Sequence, residues 1–357
     1  MGINKEAASV NLLPGPVPLS ATVRAALAGP ERSHREPAFQ IDLERLRDDL
    51  CGLAGFRRDA GRGGADVQVL TGTGTAANDA VAGQLSLRPG PGLVLSNGEF
   101  GERLIDHAER WRLDHAVCRQ PWGAPFDQNE VTNAALAAEA RWIWAVHGET
   151  STGGLNDLRM LKAVAAKTDA ALAIDAISSL GATPVDLSGV SWATSVSGKS
   201  LRAPPGLAFV FHARPLASPG RLPRALDLGW YAACDGVPFT LSSSLVAATA
   251  AALDEVEAPQ RFAEVAALSN RLVAGIRTAG LVPFAREPWL PGVVTIVVPP
   301  PHTNEDWIEA LATAGVRVNR SGYLRERSLM QFAVFGRATA ADVDRLAGLL
   351  RRFAGGG

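Results

Sequence analysis

A chain of 357 residues, 47% of them hydrophobic, can bury a large core, and its length predicts one big and one small domain. Its formal net charge of -1 speaks against a nucleic-acid or anionic-membrane surface. Cys51, Cys118 and Cys234 are far apart with no CxxC pair, and the six histidines are scattered, so neither a disulfide framework nor a metal site is expected. No secretory leader and no apolar stretch of spanning length can be read, which predicts a soluble, cytoplasmic protein.

In chain order, Pro14-Gly15-Pro16-Val17-Pro18 cannot be helix or central strand and reads as an extended arm over residues 1–16. Ser20 opens a helix to about Leu27, and Ile41 to Leu53 has helical apolar spacing. The Gly- and Arg-rich patch Arg57 to Gly64 reads as a loop. Strands and helices then alternate. Val67–Leu70 is a predicted strand, Thr71–Thr75 a turn and Ala76–Leu85 a helix; Gly92–Ser96 is a strand, Asn97–Gly101 a turn and Glu102–Trp111 a helix. Strand Trp142–Val146, helix Leu155–Lys167 and strand Ala170–Ile174, ending in Asp175, follow, with strands Ser191–Val196 and Leu207–Phe211 after them. This order predicts an α/β fold, a mostly parallel sheet covered by helices with its ligand outside the carboxyl ends of the strands. Past residue 240 the helices lengthen and strands thin out: helices Ser244–Val256, Gln260–Ala279, Asn304–Thr313 and Ala341–Phe353, strands Gly292–Val298 and Leu329–Phe335. The division expected is a large domain over 17–259 and a small C-terminal α+β domain over 260–357.

Only four of the 35 basic residues are lysines. Lys5 lies in the tail, and Lys162 and Lys167 fall on an exposed helix face. Lys199 follows a strand, has small neighbours and is closed off by Pro204-Pro205-Gly206. Held in a partly dry pocket, its amine would have a lowered pKa and become a nucleophile able to form a Schiff base; a surface-loop lysine is the plainer alternative. Thr73-Gly74-Thr75, between strand and helix, offers N–H groups and two hydroxyls to one phosphate, although Thr75 alone would serve as a helix cap. Asp175 at a strand end suits a cationic partner such as a protonated pyridine nitrogen, or caps the next turn. Phe100 could lie flat on a planar ligand or pack in the core. Thr150 could donate to a ring hydroxyl or bond its own loop. Together these parts describe a pyridoxal 5'-phosphate site.

The sequence resembles the class V aminotransferases among the fold-type I pyridoxal-phosphate enzymes, near the alanine:glyoxylate and serine:pyruvate aminotransferases and the 2-aminoethylphosphonate:pyruvate transaminases. Leu13-Pro14-Gly15-Pro16, Ser33 to Phe39, Thr71 to Ala77, Asn97 to Arg103, Val146 to Gly153, Asp175 to Gly181, Ser197-Gly198-Lys199 and Ala203 to Phe209 carry the resemblance. It implies that Lys199 bears the cofactor as a Schiff base and that Asp175 pairs with the pyridine nitrogen. It implies that Phe100 stacks on the ring, that Thr73, Gly74 and Thr75 hold the phosphate, and that Thr150 lies by the ring hydroxyl. By the same resemblance Thr240 reaches the cofactor of a neighbouring subunit in a homodimer, and Gly15 of the arm lines the substrate site.

Two departures bear on the site. Gly198 stands where many relatives have Gln, so a phosphate contact is missing or replaced, for instance by Ser197. In Met330-Gln331-Phe332, Gln331 takes the position of the relatives' substrate-binding Arg and should hold a carboxylate less well by roughly a few kcal/mol. Arg320, Arg325 or Arg327 could supply the cation or form a solvated loop. The function expected is transfer of an amino group from a small amino acid or amino phosphonate to a 2-oxo acid such as pyruvate or glyoxylate. The alternative, which Gln331 suggests, is a lyase, decarboxylase or epimerase of the same fold. A cofactor-binding protein without turnover would need an effector domain, and none is legible.

Overall fold

The structure, a computed structural model, describes residues 10–59, 64–213, 215–217 and 219–355. Lys5, the first nine residues of the arm and the middle of the Arg57–Gly64 patch lie outside the described residues.

A seven-stranded sheet forms the centre. Its strand order is Asp66–Thr71, Leu207–His212, Trp192–Val196, Ala171–Asp175, Trp142–Val146, Gly92–Ser96, His115–Arg119, and all pairs are parallel except the two that Leu207–His212 makes. The inner strands are mostly apolar, as burial of both faces demands, with polar groups such as Asp175 and Thr194 among them. Alternate side chains then serve different cores. Leu93, Ile143, Leu172 and Phe209 point to one, lined by helices Pro37–Leu53, Gln128–Ala137 and Leu158–Thr168. Val94, Trp144, Ala173 and Val210 point to the other, under helices Gly74–Ser86 and Glu99–Arg110. The parallel strands end together, so Asp175 comes to register with Val146 on one side and Thr194 on the other.

A further core gathers at the C-terminal end of the chain. Strand Val293–Val297 runs antiparallel to Leu329–Ala333, with Thr295 opposite Gln331. Helices Ala258–Thr278, Asn304–Thr313 and Ala340–Ala354 cover it, the last two begun by capping boxes at Thr303 and Thr339. The described part of the arm is not loose: Val10–Asn11 pairs in parallel with Val316–Arg317, and Val10 and Leu12 are buried in this core.

Several readings of the sequence change; helix Pro37–Leu53 starts four residues before the expected Ile41 and helix Leu158–Thr168 three after the expected Leu155. Strand His115–Arg119 and helix Gln128–Ala137 were not expected; the strand is a half-buried edge with little apolar run, and the helix shows the core only Val131, Thr132 and Ala135. Helix Glu99–Arg110 begins three residues before the predicted Glu102, so Phe100 sits in a helical first turn. Glycines on both sides of Phe100 look like a turn in sequence because the cap of this helix comes from elsewhere in the chain.

Candidate active site

At the carboxyl ends of the strands lies a cavity of about 650 Å³, open to a smaller one of about 160 Å³ beneath it. Gly74, Phe100, Arg103, Thr150, Val196 and Lys199 line both. Strand Asp66–Thr71 delivers the chain to Thr73, whose hydroxyl accepts the Ala76 N–H and starts helix Gly74–Ser86 at the cavity wall. A helix start with free N–H groups favours an anion. Gly74 has a packing reason, since a Cβ there would lie 2.5 Å from Ile177 Cδ1.

Asp175 ends its strand at the floor of the smaller cavity. Asn78 Nδ2 donates to its Oδ2 at 2.8 Å and the Ile177 N–H to its Oδ1 at 2.9 Å; Thr194 donates to Asn78 Oδ1 at 2.8 Å, which sets the amide's orientation. Burial raises the Asp175 pKa, opposed by the Asn78 and Ile177 hydrogen bonds and by the charge of Lys199.

Lys199 stands on a tight turn. The Arg202 N–H donates to Lys199 O, the Ala203 N–H to Ser197 O, and Ser197 Oγ donates to Pro204 O at 2.5 Å while accepting the Leu207 N–H. That hydroxyl is spent inside the turn, so Ser197 does not replace the phosphate contact. The turn also requires Gly198, where a Cβ would meet Pro205 at 2.9 Å. Lys199 Nζ donates to Ser178 Oγ at 3.0 Å and lies 5.2 Å from the Phe100 ring centroid. Desolvation lowers its pKa to about 8, with Asp175 and Glu149 pulling the other way. Thr150 Oγ1 is hydrogen-bonded to the same Ser178 hydroxyl. Gly15, φ +156, brings the Pro-Gly-Pro arm onto this turn, its would-be Cβ 3.2 Å from Gly198 O.

Phe100 is placed by a helix start that has no cap of its own, Gly98 offering no side chain. Glu149 supplies the cap from across the sheet: its Oε2 accepts the N–H groups of Phe100 at 3.1 Å and Gly101 at 3.0 Å, and Ser151 Oγ accepts that of Glu99 at 3.0 Å. Glu149 is fully buried, and burial pushes its carboxyl up to about 7 against four donors that favour the charge. Between these two residues, the Thr150 carbonyl accepts from Gln331 Nε2, and Ser151 O accepts from Thr295 Oγ1 at 3.1 Å.

The structure therefore brings Gly15, Thr73, Gly74, Thr75, Phe100, Thr150, Asp175 and Lys199 around one space. Three expected residues stay outside its lining. Gln331 is fully buried with both ends bonded, Oε1 accepting from Asn319 Nδ2 at 3.0 Å. Arg325 is exposed, 3.9 Å from Glu305, and does not line the cavity. Thr240 is exposed and does not face the cavity of its own chain. Asn78, Arg103, Glu149, Ser178, Asn319 and Tyr323 were missed; of these Arg103, Glu149 and Ser178 stood inside the motifs that carry the resemblance, while Asn78 looks like any polar helix residue. Among the described residues no group of His, Cys, Asp and Glu could hold a metal ion, and no helix is long and apolar enough to cross a membrane.

Known proteins resemble this chain along most of its length. A family model for aminotransferase class-V matches residues 68–332. A 2-aminoethylphosphonate--pyruvate transaminase of Burkholderia thailandensis is 35% identical over 356 residues, covering 94% of this chain and 90% of that one. An aspartate aminotransferase of subgroup IV from Thermus thermophilus matches with a TM-score of 0.86 at 27% identity, covering 97% of this chain and 99% of that structure. A pyridoxamine-pyruvate aminotransferase from Mesorhizobium loti shares the fold, with a TM-score of 0.86 at 22% identity over 100% of this chain and 95% of that one. These relatives do not favour the lyase alternative. The chain belongs to the class-V aminotransferase family and is a pyridoxal-phosphate-dependent aminotransferase.

Proposed function

We propose that this aminotransferase takes its amino group from a small amino acid or amino phosphonate and gives it to a 2-oxo acid such as pyruvate or glyoxylate, with Lys199 as the residue that carries the cofactor. The observation that bears most of the weight is a buried, partly neutralised amine facing a buried carboxylate across one cavity. The donor set suits the cofactor: an N-terminal helix turn for its phosphate, Asp175 for a protonated ring nitrogen, Phe100 for a ring face and Thr150 for a ring hydroxyl. When bound, the cofactor supplies an aldehyde and an electron sink.

In this proposal Nζ of Lys199 moves the proton at the substrate's α-carbon, its ready loss of a proton following from desolvation. Asp175, held in place by Asn78 and the Ile177 N–H, would pair with the cofactor's protonated ring nitrogen. Pro14, Gly15 and Pro16 form part of the wall of the cavity that Lys199 lines. Thr240, turned away from its own cavity, would serve a second subunit, so a cytoplasmic homodimer is proposed. The large and small domains, 17–259 and 260–357 beyond an arm to residue 16, are supported by the separate C-terminal core.

Borohydride reduction of the holoenzyme followed by peptide mapping tests the central claim. The adduct should fall on the peptide holding Lys199, and Lys199→Ala should lower turnover by at least about 10²–10⁴-fold. An adduct on Lys162 or Lys167 would refute it.

A further inference from the structure

With Gln331 locked between Thr150 O and Asn319, the acid group of a substrate needs another anchor. Arg320 lines a separate cavity with Leu13 and Ile308, Arg325 leans toward Glu305, and the Arg327 guanidinium lies 3.7 Å from the Trp122 ring centroid. None of these lines the Lys199 cavity. Among the described residues only two charged side chains line the larger cavity, Lys199 and Arg103, and the smaller one adds the anion Asp175.

Arg103 sits one turn beyond Phe100 on the same helix, its guanidinium carbon 4.9 Å from that ring's centroid. Its Nε donates to Glu99 Oε1 at 3.0 Å, which turns the guanidinium and leaves both Nη groups without an acceptor among the described residues. Two parallel N–H donors on one edge are the fork that fits a carboxylate or phosphonate. The helix that carries it is fixed at its start by Glu149 and Ser151, so the fork is held relative to Phe100 and Lys199.

We propose that Arg103 is the specificity-determining residue that binds the acid group of the substrate, in place of a cation at position 331. This rests on the proposed function above. With an amino-acid donor it ties both half-reactions to one anchor, since donor and 2-oxo acid then each carry a carboxylate beside the reacting carbon. It also puts the anchor on the helix of the stacking ring rather than on the C-terminal sheet.

The test uses holoenzyme loaded with pyridoxamine 5'-phosphate and follows a single turnover with pyruvate or with its neutral analogue pyruvamide. In Arg103→Gln the half-saturating pyruvate concentration should rise by about 10–100-fold while that for pyruvamide stays within about twofold; Arg103→Lys should fall between. The lysine-bound cofactor band of the aldehyde form should survive in both variants, and Arg103 is half-exposed, so folding is spared. An unchanged pyruvate response in Arg103→Gln, or an equal rise for both compounds, overturns the proposal. Wild-type enzyme that turns over no 2-oxo acid would overturn the functional reading itself, a separate outcome. Titrating the aldehyde form with L-alanine and with 2-aminoethylphosphonate tells which acid the fork receives: the one whose half-saturation rises in Arg103→Gln.

Discussion

Lys199 illustrates how far a single residue could be read from sequence. Scarcity of lysine and a Pro-Pro-Gly turn marked it, and the fold adds the desolvation that lowers its pKa to about 8. With that value about a tenth of the amines are neutral at pH 7, against roughly one in 10³ for an ordinary lysine. Uptake of pyridoxal phosphate by apoprotein should therefore speed up as pH rises through about 8 and level off above it; a rate still climbing at pH 10 would mean an unperturbed amine. Asn78 was not legible, because its partner Asp175 is 97 residues away and nothing local distinguishes it. Asn78→Ala leaves the buried Asp175 carboxylate one donor short, which costs about 1–3 kcal/mol and raises its pKa further. Urea unfolding should detect the loss, and a variant within about 0.5 kcal/mol of wild type would show the bond to be dispensable.

Helix Glu99–Arg110 carries both Phe100 and Arg103, yet its start is stabilised by residues 49 and 52 positions later. That is why the sequence, read locally, began it three residues late, whereas the apolar-rich inner strands Trp142–Val146 and Gly92–Ser96 were found to the residue. Glu149→Ala would orphan the buried N–H groups of Phe100 and Gly101 and should lower stability by roughly 2–4 kcal/mol, loosening Phe100 as well. Charge gives a second handle on the same cap. The folded-state pKa of Glu149 is raised to about 7, above its unfolded value, so the folded chain holds the extra proton and unfolding releases it. The stability this contributes is present in full below about pH 4.5 and is lost as pH rises through about 7, by up to roughly 3 kcal/mol. Denaturation midpoints at pH 5 and pH 8 should show wild type losing stability relative to Glu149→Gln as pH rises, a comparison in which the opposite contribution of His147 cancels.

At the scale of the whole molecule, the C-terminal sheet is fastened to the loop at residues 149–151 by neighbours across two strands: Thr295 holds Ser151 O and Gln331 holds Thr150 O. Gln331, which in sequence looked like a weakened substrate ligand, is thus part of the joint between two cores. Its role was hidden because only the fold sets residues 150 and 331 side by side. Restoring the relatives' arginine should then fail as a repair. A guanidinium at 331 would enter a fully buried site with no carboxylate among the bonding partners of Gln331 and would displace the Asn319 contact. Burying that charge unpaired should cost about 3–5 kcal/mol. Gln331→Arg is therefore expected to unfold at markedly lower denaturant than wild type and to bind pyruvate no better. Gln331→Leu keeps the volume but drops the bond to Thr150 O, and combined with Thr295→Val it should show coupling of about 0.5–3 kcal/mol in a double-mutant cycle. Strict additivity of the two losses would mean that the strands do not act together on the loop, while a Gln331→Arg protein of wild-type stability with tighter pyruvate binding would return position 331 to the substrate site.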